Sequence, residues 1–241
     1  MYEFPIFVKL NASLLISVRS NSASHSPWVV RQILDRIIDS MTLFIPSWKN
    51  SIVRKALQKN EKNANSKKRE TKRMLFEITI QQFSKMLHQL KLLLEKGAVY
   101  SETKKFDVEV LLNSRLAPDQ FHFIRQIQIV CDTAKLGVSR LTGKDAPKHE
   151  DQEKTLLELQ TRIDSTLDYL STFTEKDFSE SNDRKVFNPR WEEKYLTGKE
   201  FAIQHLIPNF YFHITTAYSI LRHNGVDIGK KNYLGEMPFK S

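Results

Sequence analysis

Residues 208–225 read PNFYFHITTAYSILRHNG, an apolar helical segment that carries a line of polar side chains. With the preceding turn, the line consists of His205, Asn209, His213 and Thr216, and spacings of four, four and three residues put them on one helix face. Burying such a row is costly unless hydrogen-bond partners, a ligand or a metal meet it inside the fold. We therefore expect the side chains of this line to face a shared interior site.

Both ends of this helix can be located in the sequence. Thr197 and Glu200 have the spacing of a capping box, so we expect the helix to begin at Thr197. Asn224 and Gly225 are typical of a helix end. Pro208 lies between these limits and predicts a kink or a restart.

Three earlier segments have the three- and four-residue apolar spacing of packed helices, at residues 75–95, 115–143 and 151–173. Gly97 is expected to end the first helix, and Pro118 suits the first turn of the second. The charged residues of the third helix are expected to point outward. The apolar faces comprise Ile80, Phe83, Leu87, Leu90 and Leu94; Ile124, Ile127, Cys131, Ala134, Val138 and Leu141; and Leu156, Leu159, Ile163, Leu167 and Leu170.

Between the third and fourth helices, residues 184–197 contain two short alternating stretches on either side of Asn188 and Pro189. This pattern predicts a small β-hairpin, with Trp191 and Tyr195 anchoring it on the helices. The sequence thus predicts four helices and one hairpin.

Charge divides the chain into two parts. Residues 1–73 contain 14 Lys and Arg residues against 5 acids, whereas residues 74–241 contain 23 of each sign. The net charge of +9 therefore belongs to the N-terminal part, and a nucleic-acid partner is not expected for residues 74–241. Residues 55–73 lack aromatic residues and apolar periodicity, which predicts a solvated, disordered linker.

Three interpretations of residues 1–73 remain open. They could form an extension outside the folded domain, with Met74 as its natural beginning. They could be a targeting peptide, because residues 4–34 contain no acid. They could instead be a basic arm that touches nucleic acid or a membrane, with residues 29–43 as a short amphipathic helix.

Several classes of protein lack support in the sequence. The single cysteine, Cys131, excludes an intrachain disulfide or a multi-cysteine zinc site, and its place on an apolar face predicts a buried, inert thiol. No run of 18 apolar residues predicts a membrane span. There is no glycine-rich phosphate loop or serine nucleophile elbow. We expect a cytoplasmic protein.

Two blocks, residues 115–143 (RLAPDQFHFIRQIQIVCDTAKLGVSRLTG) and 197–235 (TGKEFAIQHLIPNFYFHITTAYSILRHNGVDIGKKNYLG), resemble the DUF1993 family of domains of unknown function. This family is placed in the DinB/YfiT-like superfamily of metalloenzymes. The similarity covers about residues 75–235 and leaves residues 1–73 uncovered. It implies an all-α, up-down four-helix bundle with a small β-hairpin before the last helix, within a domain of residues 74–241.

The resemblance also implies a metal site, because members of the superfamily hold a divalent metal on three histidines. Two of those form an H-x-x-x-H pair on the last helix, and some members transfer low-molecular-weight thiols. In this sequence His213 matches the last histidine of the pair, Asn209 replaces the first, and Gln128 falls near the third ligand. Carboxamides bind transition metals more weakly than imidazoles do. His205 lies about 12 Å along the axis from His213, too far to share a metal unless Pro208 distorts the helix.

The sequence leaves the reaction open, including whether the protein is an enzyme. We expect it to bind a small molecule through a polar interior site with a degenerate metal triad and no cofactor. The alternatives are a metal-dependent transferase, with a divalent transition metal on His213, and nucleic-acid contact through the basic N-terminal arm. A homodimer is also compatible with such a bundle. The candidate ligand-binding residues are His213, Asn209, Gln128, Asp132 and His205. Asp132 and Lys135, one helical turn apart, could instead pair with each other.

Overall fold

The computed structural model describes residues 47–240, with side chains throughout residues 69–240 and at some earlier positions. This part of the chain is mostly helical and contains one two-stranded sheet. The chain divides into two units at Ala64 and Asn65, and the first is described only from residue 47 onward. The extension, targeting-peptide and basic-arm interpretations, as far as they concern residues 1–46, lie outside the described residues.

Helix α1 spans Ser47–Phe76 and covers the run that was predicted to be a disordered linker. Its described side chains are mostly exposed, yet the backbone is helical, because Lys, Arg, Gln, Glu and Ala all favour helix even without an apolar face. The predicted domain boundary at residues 73 and 74 falls inside this helix. The interpretation of residues 1–73 as an extension outside the domain stays a prediction.

Helix α2 spans Gln82–Lys104 and follows a single π-helical turn at Glu77–Gln81. The predicted end at Gly97 is wrong. Gly97 is buried within α2 with a helical backbone, and a β-carbon there would lie 3.4 Å from Cδ2 of Leu221, so the helix continues through this residue. Helix α2 ends about two turns later, where Lys105 adopts a left-handed conformation.

The next helices are α3 (Glu109–Leu112), α4 (Phe123–Thr142) and α5 (Leu156–Ser171). Helix α4 begins later than predicted, because Pro118 lies in a turn and the N-cap is His122. It ends as predicted at Gly143, whose φ is 81°. Helix α5 also begins late, at a capping box formed by Thr155 and Glu158 that fixes its first turn.

The predicted hairpin is confirmed. Strands β1 (Lys185–Phe187) and β2 (Tyr195–Thr197) pair in antiparallel fashion, with Val186 opposite Leu196. The ring of Trp191 anchors the hairpin, 6.2 Å from that of Phe201. Tyr195 does not anchor it, because its side chain is exposed and contacts the hairpin's own Phe187.

The last helical segment begins at the predicted capping box. It consists of α6 (Gly198–Phe201), a π-helical turn (Ala202–Leu206) and α7 (Ile207–His223), and a short α8 (Lys230–Leu234) follows. The distortion expected at Pro208 takes the form of the π-helical turn, in which the amide of Ile207 reaches back to the carbonyl of Ala202. The predicted end at Asn224 and Gly225 is confirmed.

Most of the buried hydrophobic residues of the core belong to four helices, α2, α4, α5 and α7. Helix α4 packs against α5 and α7, and α2 packs against the same two helices. Phe83 of α2 stacks on Phe210 of α7 with ring centroids 3.9 Å apart. The predicted apolar faces are buried, except that Leu156 and Leu167 are half-buried. One expectation about α5 is wrong: Arg162 is buried, although the charged residues of this helix were expected to point outward.

Among residues 47–240, no helix combines the length and the apolar character that crossing a membrane requires.

Candidate functional site

His213 lies half-buried on α7, facing α4. Its Nδ1 is 2.7 Å from Oε1 of Gln126, a fully buried residue. The amide nitrogen of Gln126 donates to the backbone carbonyl of Phe121 at 2.8 Å, which leaves Oε1 as the acceptor that faces the imidazole. Nδ1 of His213 is therefore the donor, and the neutral ring carries its lone pair on Nε2.

The surroundings of His213 favour the neutral form of its ring. Burial lowers the pKa of His213 below its ordinary value, and the positive charge of Arg125 lowers it further. Within the described part of the chain, Nε2 has no hydrogen-bond partner. A neutral imidazole with an unpaired Nε2 can accept a hydrogen bond or a proton from a bound molecule.

One exposed aromatic ring contacts this imidazole, and a second lies beside Arg125. The ring of Phe212 is 57% exposed and packs edge-on against that of His213, with centroids 5.1 Å apart. Phe121 is 54% exposed, and the guanidinium carbon of Arg125 lies 6.0 Å from its ring centroid. The surroundings of His213 thus combine a polar acceptor, a cation and apolar surface.

Asn209 lies one turn before His213 and also faces α4. Its side-chain nitrogen donates to Oγ1 of Thr133 at 2.9 Å. His213 pairs with Gln126, whereas Asn209, which comes earlier on α7, pairs with Thr133, which comes later on α4. The two helices therefore run in opposite directions at this contact. The polar line on α7 therefore meets hydrogen-bond partners on α4, one of the outcomes expected from the cost of burying it.

Gln128 and Asp132 belong to a different face of α4. Gln128 donates to Glu153 at 2.9 Å and accepts from Arg125 at 3.0 Å. Asp132 accepts from Arg162 at 2.7 Å and lies 3.1 Å from the ammonium group of Lys135. The pairing of Asp132 with Lys135, expected as an alternative to a functional role, is present.

Arg162 is the centre of this second group. Its side chain is 1% exposed, and it pairs with Asp151 and Glu153 at 2.8 Å each, in addition to Asp132. Burial alone would raise the pKa values of Asp151 and Glu153, but their arginine partners outweigh it and lower both. With Lys135, which donates to the carbonyl of Pro147 at 2.9 Å, these bonds attach the segment 143–155 to α4 and α5.

His205 lies apart from both groups, in the π-helical turn. Its ring stacks on Phe201, with centroids 5.5 Å apart, and meets Trp191 edge-on at 5.4 Å. Nδ1 is buried and has no hydrogen-bond partner among the described residues. Burial, with a smaller contribution from the charge of Arg140, lowers the pKa of His205. These contacts place His205 in the packing of the hairpin.

The structure thus brings His213 and Asn209 to the same helix contact, while Gln128 and Asp132 face α5 and His205 faces the hairpin. These donors do not fit the three-histidine metal site that the resemblance implies, because one imidazole stands with two carboxamides that have other partners. In residues 47–240, no group of three or more His, Cys, Asp or Glu side chains has the arrangement of a metal site. A divalent metal on His213 stays a prediction.

Sequence reasoning missed Gln126, Thr133, Arg125 and Arg162. A signal for the first two was present, because Gln126, Val130, Thr133 and Gly137 follow spacings of four, three and four beside the apolar face of α4. That second stripe faces α7. Nothing in the sequence distinguishes Arg162 from the exposed charges of α5, since its burial depends on three acids brought in from elsewhere.

Comparison with known proteins identifies the family. The family model described as "Domain of unknown function (DUF1993)" matches residues 75–234. The chain belongs to the DUF1993 family. A DinB family member protein from Shewanella denitrificans, with a crystal structure at 1.83 Å resolution, has 58% sequence identity to this DUF1993 protein. The match covers 72% of this chain and 98% of the other, with a TM-score of 0.70. A search of curated proteins finds no match.

These findings confirm the resemblance to DUF1993 and to DinB-like proteins on which the expected fold rests. Residues 1–74 lie outside the family match. The cytoplasmic location and the homodimer stay predictions for this DUF1993 protein, and its reaction stays open.

Proposed function

We propose that this DUF1993 protein binds a small polar molecule beside the contact of α4 with α7, with Nε2 of His213 accepting a hydrogen bond from it. One observation carries the proposal. Gln126 accepts a hydrogen bond from Nδ1 of the half-buried imidazole of His213, while Nε2 has no partner among the described residues. A site built to accept a hydrogen bond loses binding energy when the bound molecule cannot donate one.

The scaffold for this site is, we infer, an up-down four-helix bundle made of α2, α4, α5 and α7. The opposite directions of α4 and α7, and the packing of α2 against α5 and α7, support that arrangement. Bundles commonly build ligand sites from side chains on facing helices.

The chemistry of the site indicates the kind of molecule that would bind. The unpaired lone pair of Nε2 calls for a hydroxyl, thiol or amine donor. The exposed ring of Phe212 offers apolar surface for a hydrocarbon or aromatic part of the same molecule. Asn209 is one turn away and adds a second polar contact from α7.

A binding experiment with a variant pair tests the proposal. Small aromatic alcohols and 2-hydroxy acids would be titrated against the full chain, the His213→Gln variant and the His88→Gln control, whose histidine is exposed on α2. Because glutamine keeps an acceptor, the variant that decides is His213→Leu, with His88→Leu as its control. We expect compounds that bind to lose about tenfold or more in affinity in His213→Leu, less in His213→Gln, and nothing in the controls. Binding that is equal in all of these proteins would refute a role for His213.

A further inference from the structure

We propose that the molecule bound beside His213 carries an anionic group, a carboxylate or a phosphate, that pairs with the free edge of the Arg125 guanidinium. This inference rests on the proposed function, because it names the class of molecule that the same site takes. The observation behind it is which nitrogens of the Arg125 guanidinium already have hydrogen-bond partners.

The guanidinium of Arg125 is held by one nitrogen only. Nη1 donates to Oε1 of Gln128 at 3.0 Å and pairs with Oδ2 of Asp151. Among the described residues, Nη2 and Nε have no hydrogen-bond partner, and the side chain is 34% exposed. The free edge formed by Nη2 and Nε has the fork geometry that matches the two oxygens of a carboxylate or phosphate.

The held side of Arg125 is fixed by a structure that does not depend on a ligand. Asp151 also pairs with the buried Arg162 at 2.8 Å, and Gln128 is fixed in turn by Glu153 at 2.9 Å. A guanidinium oriented in this way loses less side-chain entropy when an anion binds than a free arginine would. Binding at the free edge also leaves both of these contacts in place.

Phe121 connects Arg125 with the acceptor at His213: its carbonyl accepts from Gln126, the partner of His213, and its ring centroid lies 6.0 Å from the guanidinium carbon of Arg125. Arg125 directly precedes Gln126, the residue that orients the imidazole, and its charge acts on both His122 and His213. The ring of Phe121 lies beside Arg125, and that of Phe212 packs against His213. A molecule that combines an anion, a hydroxyl and an apolar group would use all of these contacts, which is the chemistry of a small aromatic hydroxy acid or of an aromatic phosphate.

Mandelate and mandelamide provide the matched test, because they share a phenyl ring and a hydroxyl group and differ in charge. Their dissociation constants would be measured by calorimetry on the full chain and on Arg125→Gln, Arg125→Lys and Arg222→Gln, with phenyl phosphate as a second anion. Arg222 is an exposed arginine on α7 and serves as the control.

We expect mandelate to bind at least about tenfold more tightly than mandelamide, as a charge-assisted bidentate pair implies. This preference should vanish in Arg125→Gln, persist in part in Arg125→Lys and remain whole in Arg222→Gln. Phenyl phosphate binding that depends on Arg125 while mandelate binding does not would assign the edge to phosphates.

The remaining outcomes separate the two proposals. If mandelate and mandelamide bind equally well and both depend on His213, the anion inference is overturned while the proposed function stands. A preference for mandelate that survives in Arg125→Gln, together with phenyl phosphate binding that does not depend on Arg125, also overturns the inference. If none of the three compounds binds, and none perturbs the NMR signals of His213 at millimolar concentration, both proposals fall.

Discussion

At the scale of single residues, the side chain of Arg162 pairs with acids from two parts of the chain. Asp132 comes from α4, whereas Asp151 and Glu153 come from the segment before α5. Removing one member of a buried cluster of charges lowers the free energy of unfolding by more than the complete cluster adds to it, because the charges left behind are desolvated and unpaired. The free energy of unfolding should therefore be sensitive to this one position.

Replacing Arg162 with Met should lower the free energy of unfolding by about 3–5 kcal/mol, since three partly buried carboxylates lose their common cation. Arg222→Met is the control, because Arg222 is 56% exposed and its pairing with the exposed Asp227 should contribute less than about 1 kcal/mol. Urea denaturation of both variants measures the difference. Equal stability of the two variants would contradict the central role of Arg162.

The sequence located the polar line on the last helix but not its partners. His213 and Asn209 were recognisable by spacing within one helix. Gln126, Arg125 and Arg162 depend on contacts between segments far apart in the chain, and one sequence contains no information on which residues meet. The same reason explains why Gln128 and Asp132, although on the predicted helix, face a different neighbour.

At the scale of elements, the start of the last helix depends on a close approach of two backbones. A β-carbon at Gly198 would lie 1.8 Å from the carbonyl oxygen of Ser181, and the amide of Lys199 donates to the carbonyl of Asn182 at 3.2 Å. The glycine therefore allows α6 to dock on the segment before the hairpin.

The Gly198→Ala variant should be less stable than wild type by about 1–3 kcal/mol or more, because the clash is with backbone and cannot be relieved by a side-chain rotation. Gly229 provides a matched control in the same chain, since a β-carbon there would meet nothing within 4 Å. Thermal unfolding of the two alanine variants compares them. A Gly198→Ala protein as stable as Gly229→Ala would show that the two backbones do not approach so closely.

The ends of helices were predicted correctly where a local sequence signal determines them, and wrongly where packing against other segments determines them. The capping box at Thr197 and the left-handed glycine at Gly143 depend on a few neighbouring residues, and both were predicted. Gly97 was misjudged because the helix continues through it, in a position buried beside Leu221 of another helix. Helix α4 begins after His122 because the chain through Pro118 turns before it becomes helical.

At the scale of the whole molecule, half-buried histidines link stability to pH. Burial is the largest cause that lowers the pKa values of His122, His149, His205 and His213. Below the ordinary histidine pKa of about 6.5, the unfolded chain takes up protons that the folded protein takes up only at lower pH, so acidification favours unfolding. Asp177 acts in the same direction at lower pH, because a hydrogen bond from Lys144 is the largest cause that lowers its pKa to about 2.

The melting temperature should therefore fall in two stages, first below about pH 6.5 and again below about pH 4. His205→Phe should reduce the first stage, because Phe fits between the rings of Phe201 and Trp191 and leaves no buried nitrogen to protonate. His88→Phe, at an exposed position, is the control. A melting temperature that is constant between pH 7.5 and 5 would contradict the assignment of half-buried neutral histidines.

The architecture as a whole was more predictable than the site, because periodic apolar faces recur along each helix. The residues predicted for the faces of α2, α4 and α5 are buried or half-buried. The site depends on a few hydrogen-bonded pairs between helices. Two glutamines only two residues apart lie on different faces of α4, since Gln126 pairs with His213 of α7 and Gln128 with Glu153 before α5.

The most direct test of the account is the tautomer and pKa of His213, measured by long-range ¹H–¹⁵N NMR on histidine-labelled protein between pH 5 and 8. We expect the signals assigned to His213 to report a proton on Nδ1, a bare Nε2 and a pKa below the ordinary 6.5. In Gln126→Leu, whose apolar side chain cannot accept a hydrogen bond, the preference for Nδ1 should be lost. A proton on Nε2 in the wild-type protein, or a pKa at or above 6.5, would contradict the proposed acceptor.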